Sequence, residues 1–204
     1  MRAMISVVVF LGNYGKKYEG NRHNVAWHFA QALPFAPSLF WQKKFRGQYA
    51  SYSVTGVTGE RRQIHLLKPE TYMNLSGESI GELCQFFKIP PAEVLIVHDE
   101  LELQGGFVSL KWSGGLGGHN GLRSAKAVLG TADFWRLRFG IGRPDHSDVA
   151  AWVLSDFTSD ERIVLSQLWP AAGELVCAIL EKGPEPFAAE WAKKKLVDQK
   201  GVLV

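Results

Sequence analysis

The chain is short of several things that would each have fixed its class. It has only two cysteines, Cys84 and Cys177, in 204 residues. Both sit in apolar helical patterns, which argues against a disulfide scaffold and for reduced thiols in a cytoplasmic protein. No apolar run reaches the ~18 residues that a membrane span requires. The N-terminus lacks a long apolar core with a small-residue cleavage site, so no secretion signal is read. Charge of one sign is scarce too: 23 Lys and Arg stand against 20 Asp and Glu, a formal net charge of +3. That excess is too mild to reveal a nucleic-acid partner, which has to be argued from local placement. Internal repeats and low-complexity segments are also missing. What remains is 46 % apolar and 21 % charged, the composition of a globular protein able to bury a core. Residues 1–204 are read as a single domain, with about 184–204 forming a C-terminal helix and a basic tail.

The β-branched run at residues 5–11 reads as a buried strand. It opens directly into Gly12-Asn13-Tyr14-Gly15-Lys16-Lys17-Tyr18-Glu19-Gly20-Asn21-Arg22-His23-Asn24. Residues 12–20 then form a loop at the strand end, where open α/β sheets bind ligands. Asn21 is placed to cap a helix over about residues 22–33, stopped by Pro34. His23 falls in the first turn of that helix and faces the strand end. The helix dipole there opposes protonation, and a neutral imidazole can take a proton from water, so His23 is a candidate general base. A surface histidine beside a turn is the plainer alternative.

Trp41-Gln42-Lys43-Lys44-Phe45-Arg46 interleaves aromatic and basic side chains. That suits stacking and phosphate contact, but equally a solvated loop anchored by aromatics, and the loop is favoured. Residues 48–57 and 62–68, joined across Thr58-Gly59-Glu60, read as a β-hairpin. Asn74 precedes a helix over about residues 77–87, whose Ile80, Leu83, Cys84 and Phe87 follow the i, i+3, i+4, i+7 pattern. Within it Gly77-Glu78-Ser79-Ile80-Gly81 matches G-x-S-x-G, with Asp99 and His119 downstream in the order of an α/β-hydrolase triad. The mechanics of that motif need a strand immediately before the serine. Here the spacing puts Ser79 inside the helix, so the match is read as chance.

Val94-Leu95-Ile96-Val97 is a second buried strand, running into His98-Asp99-Glu100. Successive strand residues face opposite ways, so at most one of His98 and Asp99 looks into a given cleft. Asp99 is the choice, as a carboxylate that can orient a histidine and steady it once protonated. Residues 107–111 form a further strand leading into Trp112-Ser113-Gly114-Gly115-Leu116-Gly117-Gly118-His119-Asn120-Gly121. Its glycines suggest a mobile, ligand-facing loop, with His119 or Asn120 opening a helix that ends near Gly130. The loop is neither a Walker A sequence nor G-x-G-x-x-G. Arg136-Leu137-Arg138-Phe139-Gly140-Ile141-Gly142 alternates, which sets both arginines on one strand face. Two such guanidiniums need an anion or carboxylate nearby, from a phosphate-bearing partner or from structural salt bridges. Residues 143–148 read as a loop and 149–154 as a short helix. A long helix over about 159–180, with Pro170 as a kink point, is closed by Gly183-Pro184. Residues 187–196 add one more helix, and the tail beyond is loose.

Four blocks stand out together and in order: Leu11-Gly12-Asn13-Tyr14-Gly15 through Tyr18 to Arg22-His23-Asn24; Tyr72-Met73-Asn74-Leu75-Ser76-Gly77; Val97-His98-Asp99-Glu100-Leu101; and Gly117-Gly118-His119-Asn120-Gly121-Leu122, followed by Arg136-Leu137-Arg138 to Gly142. On these blocks the chain resembles bacterial-type peptidyl-tRNA hydrolase over about residues 5–157. The resemblance implies an α/β fold in which a twisted mixed β-sheet is covered by helices on both faces. It implies hydrolysis of the ester joining a peptide to the 3′-terminal ribose of tRNA, which recycles tRNA from stalled or dropped-off translation products. Carried over by position, it makes His23 the catalytic histidine and Asp99 its partner. Asn13, Asn74 and Asn120 would line the site, with Tyr72 and Met73 on the peptide side and Tyr18 and His119 also binding substrate. Lys111 and Arg138 would face the tRNA acceptor end. It further implies a cytoplasmic monomer with no obligate protein partner and no membrane association. Residues 148–157 fit the family's helical lid, whereas the final helices match less closely. Tyr14, Phe10, Asn21, Leu116 and Ser109 stand where that family commonly has proline, glycine, threonine, histidine and lysine.

The chemistry needs few parts. Water attacks an ester carbonyl once a neutral imidazole takes its proton, typically worth ~10² to 10⁴-fold. An amide donating to the developing oxyanion adds on the order of 10²-fold or more. No metal or other cofactor is called for, and His23 and His28 miss the i, i+4 face of a helical zinc pair. Two other readings stay open here: a non-catalytic RNA-binding relative of the same fold, and a serine hydrolase using Ser79.

Overall fold

Strands that are apolar on both faces have to be covered on both sides, and residues 7–10 and 94–97 are of this kind. In the computed structural model, which describes residues 4–144, 148–198 and 202–204, they lie at the centre of an eight-stranded sheet. The chain runs β1 (Val7–Phe10), α1 (Val25–Gln31), β2 (Gln42–Lys44), β3 (Gly47–Thr55), β4 (Arg61–Pro69), α2 (Ser76–Phe87), β5 (Val94–Glu100), β6 (Phe107–Trp112), α3 (Asn120–Leu129), β7 (Trp135–Gly140), α4 (Val149–Val153), α5 (Ser159–Lys182) and β8 (Lys194–Lys195). Across the sheet the order is β2-β3-β4-β1-β5-β7-β6-β8. β1 is parallel to β4 and β5, and β5 to β7, while the outer pairs are antiparallel. The sheet is therefore mixed, and β1 has parallel neighbours on either side. The ends of β1, β4 and β5 open together at one rim, where ligands of open sheets bind.

Alternation along each strand divides the core in two. Val8, Phe10, Leu95, Val97, Leu137 and Phe139 face α1 and α5, where they meet Phe29, Leu168, Val176 and Ile179. Val7, Val9 and Ile96 face α2 and α3 and meet Ile80, Leu83, Leu122 and Ala125. By length and composition α5 would pass for a membrane-spanning helix. Its Leu168, Ala172, Val176, Ile179 and Leu180 are buried in this core. α2 and α3 touch at Gly77, where a Cβ would collide with the Ser124 carbonyl and where the Gly77 amide donates to Ser124 Oγ at 2.8 Å. That contact sets the two helix starts, with Asn74 and Asn120, side by side.

Several expectations change. The helix expected from residue 22 begins as a 3-10 turn, Arg22–Asn24, before α1. Asn21 caps nothing; its Nδ2 donates to Asp156 Oδ1 at 2.6 Å instead. Residues 42–44 are an edge strand rather than a loop, held by its ladder to β3 and invisible to a burial pattern because all three side chains are exposed. The glycine loop is pinned, since Arg136 donates to the carbonyls of Ser113 and Gly115. The helix expected at 187–196 is a 3-10 turn, Glu185–Phe187, followed by turns and β8. One helical bond remains, Trp191 N to Phe187 O at 2.9 Å, but other backbone bonds go outward to the sheet: Leu110 N donates to Trp191 O at 2.7 Å and Leu196 N to Gly106 O at 2.9 Å. Beyond it Val197 is buried and bridged to Leu203, so these parts of the tail dock. Asp145, His146 and Ser147 of the expected 143–148 loop lie outside the described residues, as do residues 199–201.

Candidate active site

Asp99 is the next-to-last residue of β5 and 3 % exposed. One of its oxygens, Oδ1, lies 2.8 Å from His23 Nδ1 and 3.0 Å from His119 Nε2. Tautomers follow from the remaining bonds. His119 caps α3, its Nδ1 accepting from the amides of Gly121 and Leu122, so its proton sits on Nε2 and is donated to Asp99. His23 likewise donates from Nδ1, which leaves Nε2 as the lone-pair nitrogen; that atom has no hydrogen-bond partner among the described residues. Burial penalises the Asp99 anion, yet the two histidines and their hydrogen bonds outweigh it and hold its carboxyl well below the usual range. For His23 burial lowers the pKa, but the Asp99 charge and hydrogen bond more than compensate, so the net shift is upward. A helix dipole is expected to keep His23 neutral; here the Asp99 carboxylate acts against that and raises the imidazole's hold on a proton.

These groups border a cavity of about 700 Å³. Asn13, Tyr18, His23, Tyr72, Met73, Asn74, Asp99, His119 and Asn120 all line it, so every residue singled out for catalysis or substrate binding is brought together. Asn13 is fixed on all sides but one. Asn24 Oδ1 accepts from its main-chain amide at 2.7 Å and Asn24 Nδ2 donates to its carbonyl at 3.0 Å. Its own Oδ1 accepts from the Met73 amide at 2.9 Å. That last bond determines the amide's orientation: Nδ2, the donor, is left for the cavity. Asn74 and Asn120 are exposed at the rim, the first in the 3-10 turn before α2 and the second opening α3.

Lys111 and Arg138 do not line the cavity. They lie on β6 and β7, where Lys111 pairs with Arg136 and Arg138 with both Ser109 and His98. Lys111 is exposed. Arg138 is mostly enclosed, with Nη1 donating to Glu100 Oε2 at 3.1 Å and Nη2 to Ser109 Oγ at 2.7 Å. Structural partners therefore meet much of the need of the arginine pair. Ser79 is fully buried and donates its hydroxyl to the Phe45 carbonyl at 2.5 Å, while Asp99 and His119 bond each other at the other site. Nothing about Ser79 is that of a nucleophile.

Reading the residues one by one missed three features. His98, expected to face away once Asp99 faced in, also borders the cavity, its ring edge-on to His119 at 5.0 Å. Asn24 is the clamp on Asn13, legible only as an adjacent polar residue. His23, Asp99 and His119 also form a donor set whose atoms lie within 4.8 Å of one another, which spacing along the chain could not reveal. In the observed state both imidazoles point their N–H at the one carboxylate oxygen, so the set is closed on itself by hydrogen bonds.

A model of the peptidyl-tRNA hydrolase family matches residues 7–199. The chain belongs to the peptidyl-tRNA hydrolase family. Peptidyl-tRNA hydrolases similar to it include that of Treponema pallidum (strain Nichols), 46 % identical over 95 % of this chain and 97 % of the relative. That of Delftia acidovorans is 49 % identical over 91 % and 95 %. The crystal structure of peptidyl-tRNA hydrolase from Acinetobacter baumannii superposes with a TM-score of 0.85 at 33 % identity, covering 98 % of this chain and 99 % of that one. Against the usual pattern of peptidyl-tRNA hydrolases, three departures now have places. Ser109 accepts from Arg138, and Leu116 lines the cavity in the glycine loop. Phe10 is buried, and its carbonyl receives the Trp27 indole N–H at 3.0 Å.

Proposed function

We propose that this chain, as a single catalytic domain acting as a monomer in the cytoplasm, hydrolyses the ester between the peptide and the 3′-terminal ribose of peptidyl-tRNA. The observation that supports the mechanism best is the hydrogen bonding of Asp99 Oδ1, which sets His23 with its proton inward and Nε2 toward the cavity. A water held between Nε2 and the ester carbonyl gives its proton to His23 as its oxygen attacks. The imidazolium that forms is stabilised by the buried carboxylate behind it, a charge-assisted bond worth ~1.5–3 kcal/mol. Asn13 Nδ2 donates to the carbonyl oxygen as negative charge develops there, while Asn74 and Asn120 hold the substrate at the rim. Collapse of the intermediate breaks the bond to the ribose oxygen, which recovers the proton from His23. The products are a free peptide acid and a tRNA with its 3′-hydroxyl. Tyr18, Tyr72 and Met73 shape the peptide side, and Lys111 with Arg138 faces the acceptor end.

The test is release of free tRNA from a purified peptidyl-tRNA. Turnover by the wild-type chain, retained in full by Ser79→Ala, is the expected result. Tight binding without release would move the chain to the non-catalytic RNA-binding reading.

A further inference from the structure

Arg22 stands next to His23 in sequence, yet its side chain is 4 % exposed and points away from the reaction. It leaves almost no bonding capacity unused. Nε and Nη2 form a two-pronged pair with the carboxylate of Glu161 at 3.1 and 2.6 Å. Nη1 donates to Ser155 Oγ at 2.5 Å and to the Asp156 carbonyl at 2.9 Å. The guanidinium lies over the Trp152 ring at 3.7 Å. The backbone repeats the connection, with Arg22 N donating to Ser155 O at 3.0 Å and Phe157 N to Gly20 O at 3.1 Å. A side chain at Gly20 would strike the Asp156 carboxylate, 2.8–2.9 Å from where its Cβ would be, so this junction is close-packed. All these partners belong to α4, the start of α5 and the turn between. α4 and the residue after it form one wall of the cavity, through Val149, Ala150, Val153 and Leu154.

We infer that Arg22 is a positioning residue for the reaction: it joins the α4 wall of the substrate cavity to the segment that holds His23, so that wall and base keep one fixed separation. This deepens the proposed hydrolysis and rests on it. Only a planar, five-donor cation serves all of these partners together, because a lysine ammonium cannot form the two-pronged pair or stack on the indole in the same way. The link works through substrate fit and leaves the His23–Asp99 bond untouched.

The experiment compares wild type, Arg22→Lys and Glu161→Gln in release kinetics and in hydrogen exchange of the α4 amides. Arg22→Lys is expected to raise KM for peptidyl-tRNA about tenfold with kcat within about twofold. Amides such as those of Trp152 and Leu154 should exchange faster while β5 does not change. Glu161→Gln, which still offers an oxygen to the Thr158 amide it now caps, should act in the same direction by about threefold. A purely structural role would lower the active fraction, seen as reduced kcat at unchanged KM, and would overturn the inference, as would α4 exchange equal to wild type. Should the wild-type chain release no tRNA, the hydrolase reading fails, and the exchange comparison still decides whether Arg22 holds the wall.

Discussion

At the cavity one buried carboxylate, Asp99, is shared by two imidazoles, whereas across β6 and β7 three cations, Lys111, Arg136 and Arg138, have Glu100 between them. In the first cluster the anion is in charge: it holds protons inward on both rings, and their charges and hydrogen bonds keep it ionised despite its burial. In the second the cations are in excess. Arg138 is bonded through its Nη atoms to Glu100 and Ser109, and Arg136 to carbonyls of the glycine loop, while the Nε of each is buried without a hydrogen-bond partner among the described residues. Lys111 is left exposed, its pKa lowered by partial burial and then by the neighbouring arginines, against the opposing pull of Glu100. A closed, internally balanced cluster suits proton transfer. A crowded cationic one is relieved by an external anion such as a phosphate.

The largest effect that would break this contrast is at His23. If the outward nitrogen is the base, His23→Ala should lower kcat by ~10² to 10⁴-fold with the fold intact by circular dichroism. Turnover near the wild-type rate would remove His23 from the mechanism and with it the special status of the first cluster.

Next comes Asp99→Asn. Burial alone would push the His23 pKa down, and Asp99 is what raises it. The base must be unprotonated to act, so the acid limb of kcat/KM in the wild type should lie above the ordinary histidine value near 6.5. Replacing the carboxylate should move that limb to lower pH while cutting the rate by about 10²-fold or more, since imidazolium loses its counter-charge. A limb that stays in place, measured from pH 5 to 9, would show that Asp99 does not set the protonation of His23.

Much of the first cluster was legible because its residues are fixed by short-range rules. A strand end followed by glycines announces a rim after residues 7–10, and the apolar run at 94–97 marks a second strand that runs into Asp99; that the two strands are neighbours is a finding of the structure. The hairpin at β3 and β4 was equally plain from its turn residues. What escaped depends on partners far away in sequence. β2 exposes all three side chains, so nothing in its pattern separates it from a loop. The 187–196 segment has Phe187 and Trp191 at helical i, i+4 spacing, but further along its backbone finds better partners on the edge of β6. The second cluster was half legible: alternation set Arg136 and Arg138 on one face, but only the structure shows how much of each is already bound by Glu100, Ser109 and the glycine loop.

Lys111 separates the two regions at a smaller scale. As the exposed cation of the set, it should contribute about one released counterion on binding, so Lys111→Ala should lower the slope of log affinity against log salt by about 0.7–0.9. Its effect on kcat at saturating substrate should be slight. An unchanged salt slope would argue that the β6–β7 face does not meet the RNA.

The smallest expected change runs the other way and tests the charge excess directly. Glu100→Gln keeps a side-chain oxygen for Arg138 but removes the largely enclosed negative charge beside it. The face then gains one net positive charge without any cation being added. If this region binds phosphate, affinity for tRNA at low salt should rise by a few fold, and the gain should vanish as salt approaches physiological strength, where the screening length falls to about 8 Å. Weaker binding at every salt concentration would mean that Glu100 serves instead to hold Arg138 in the orientation that the RNA needs, and that the excess of charge is less important than its aim.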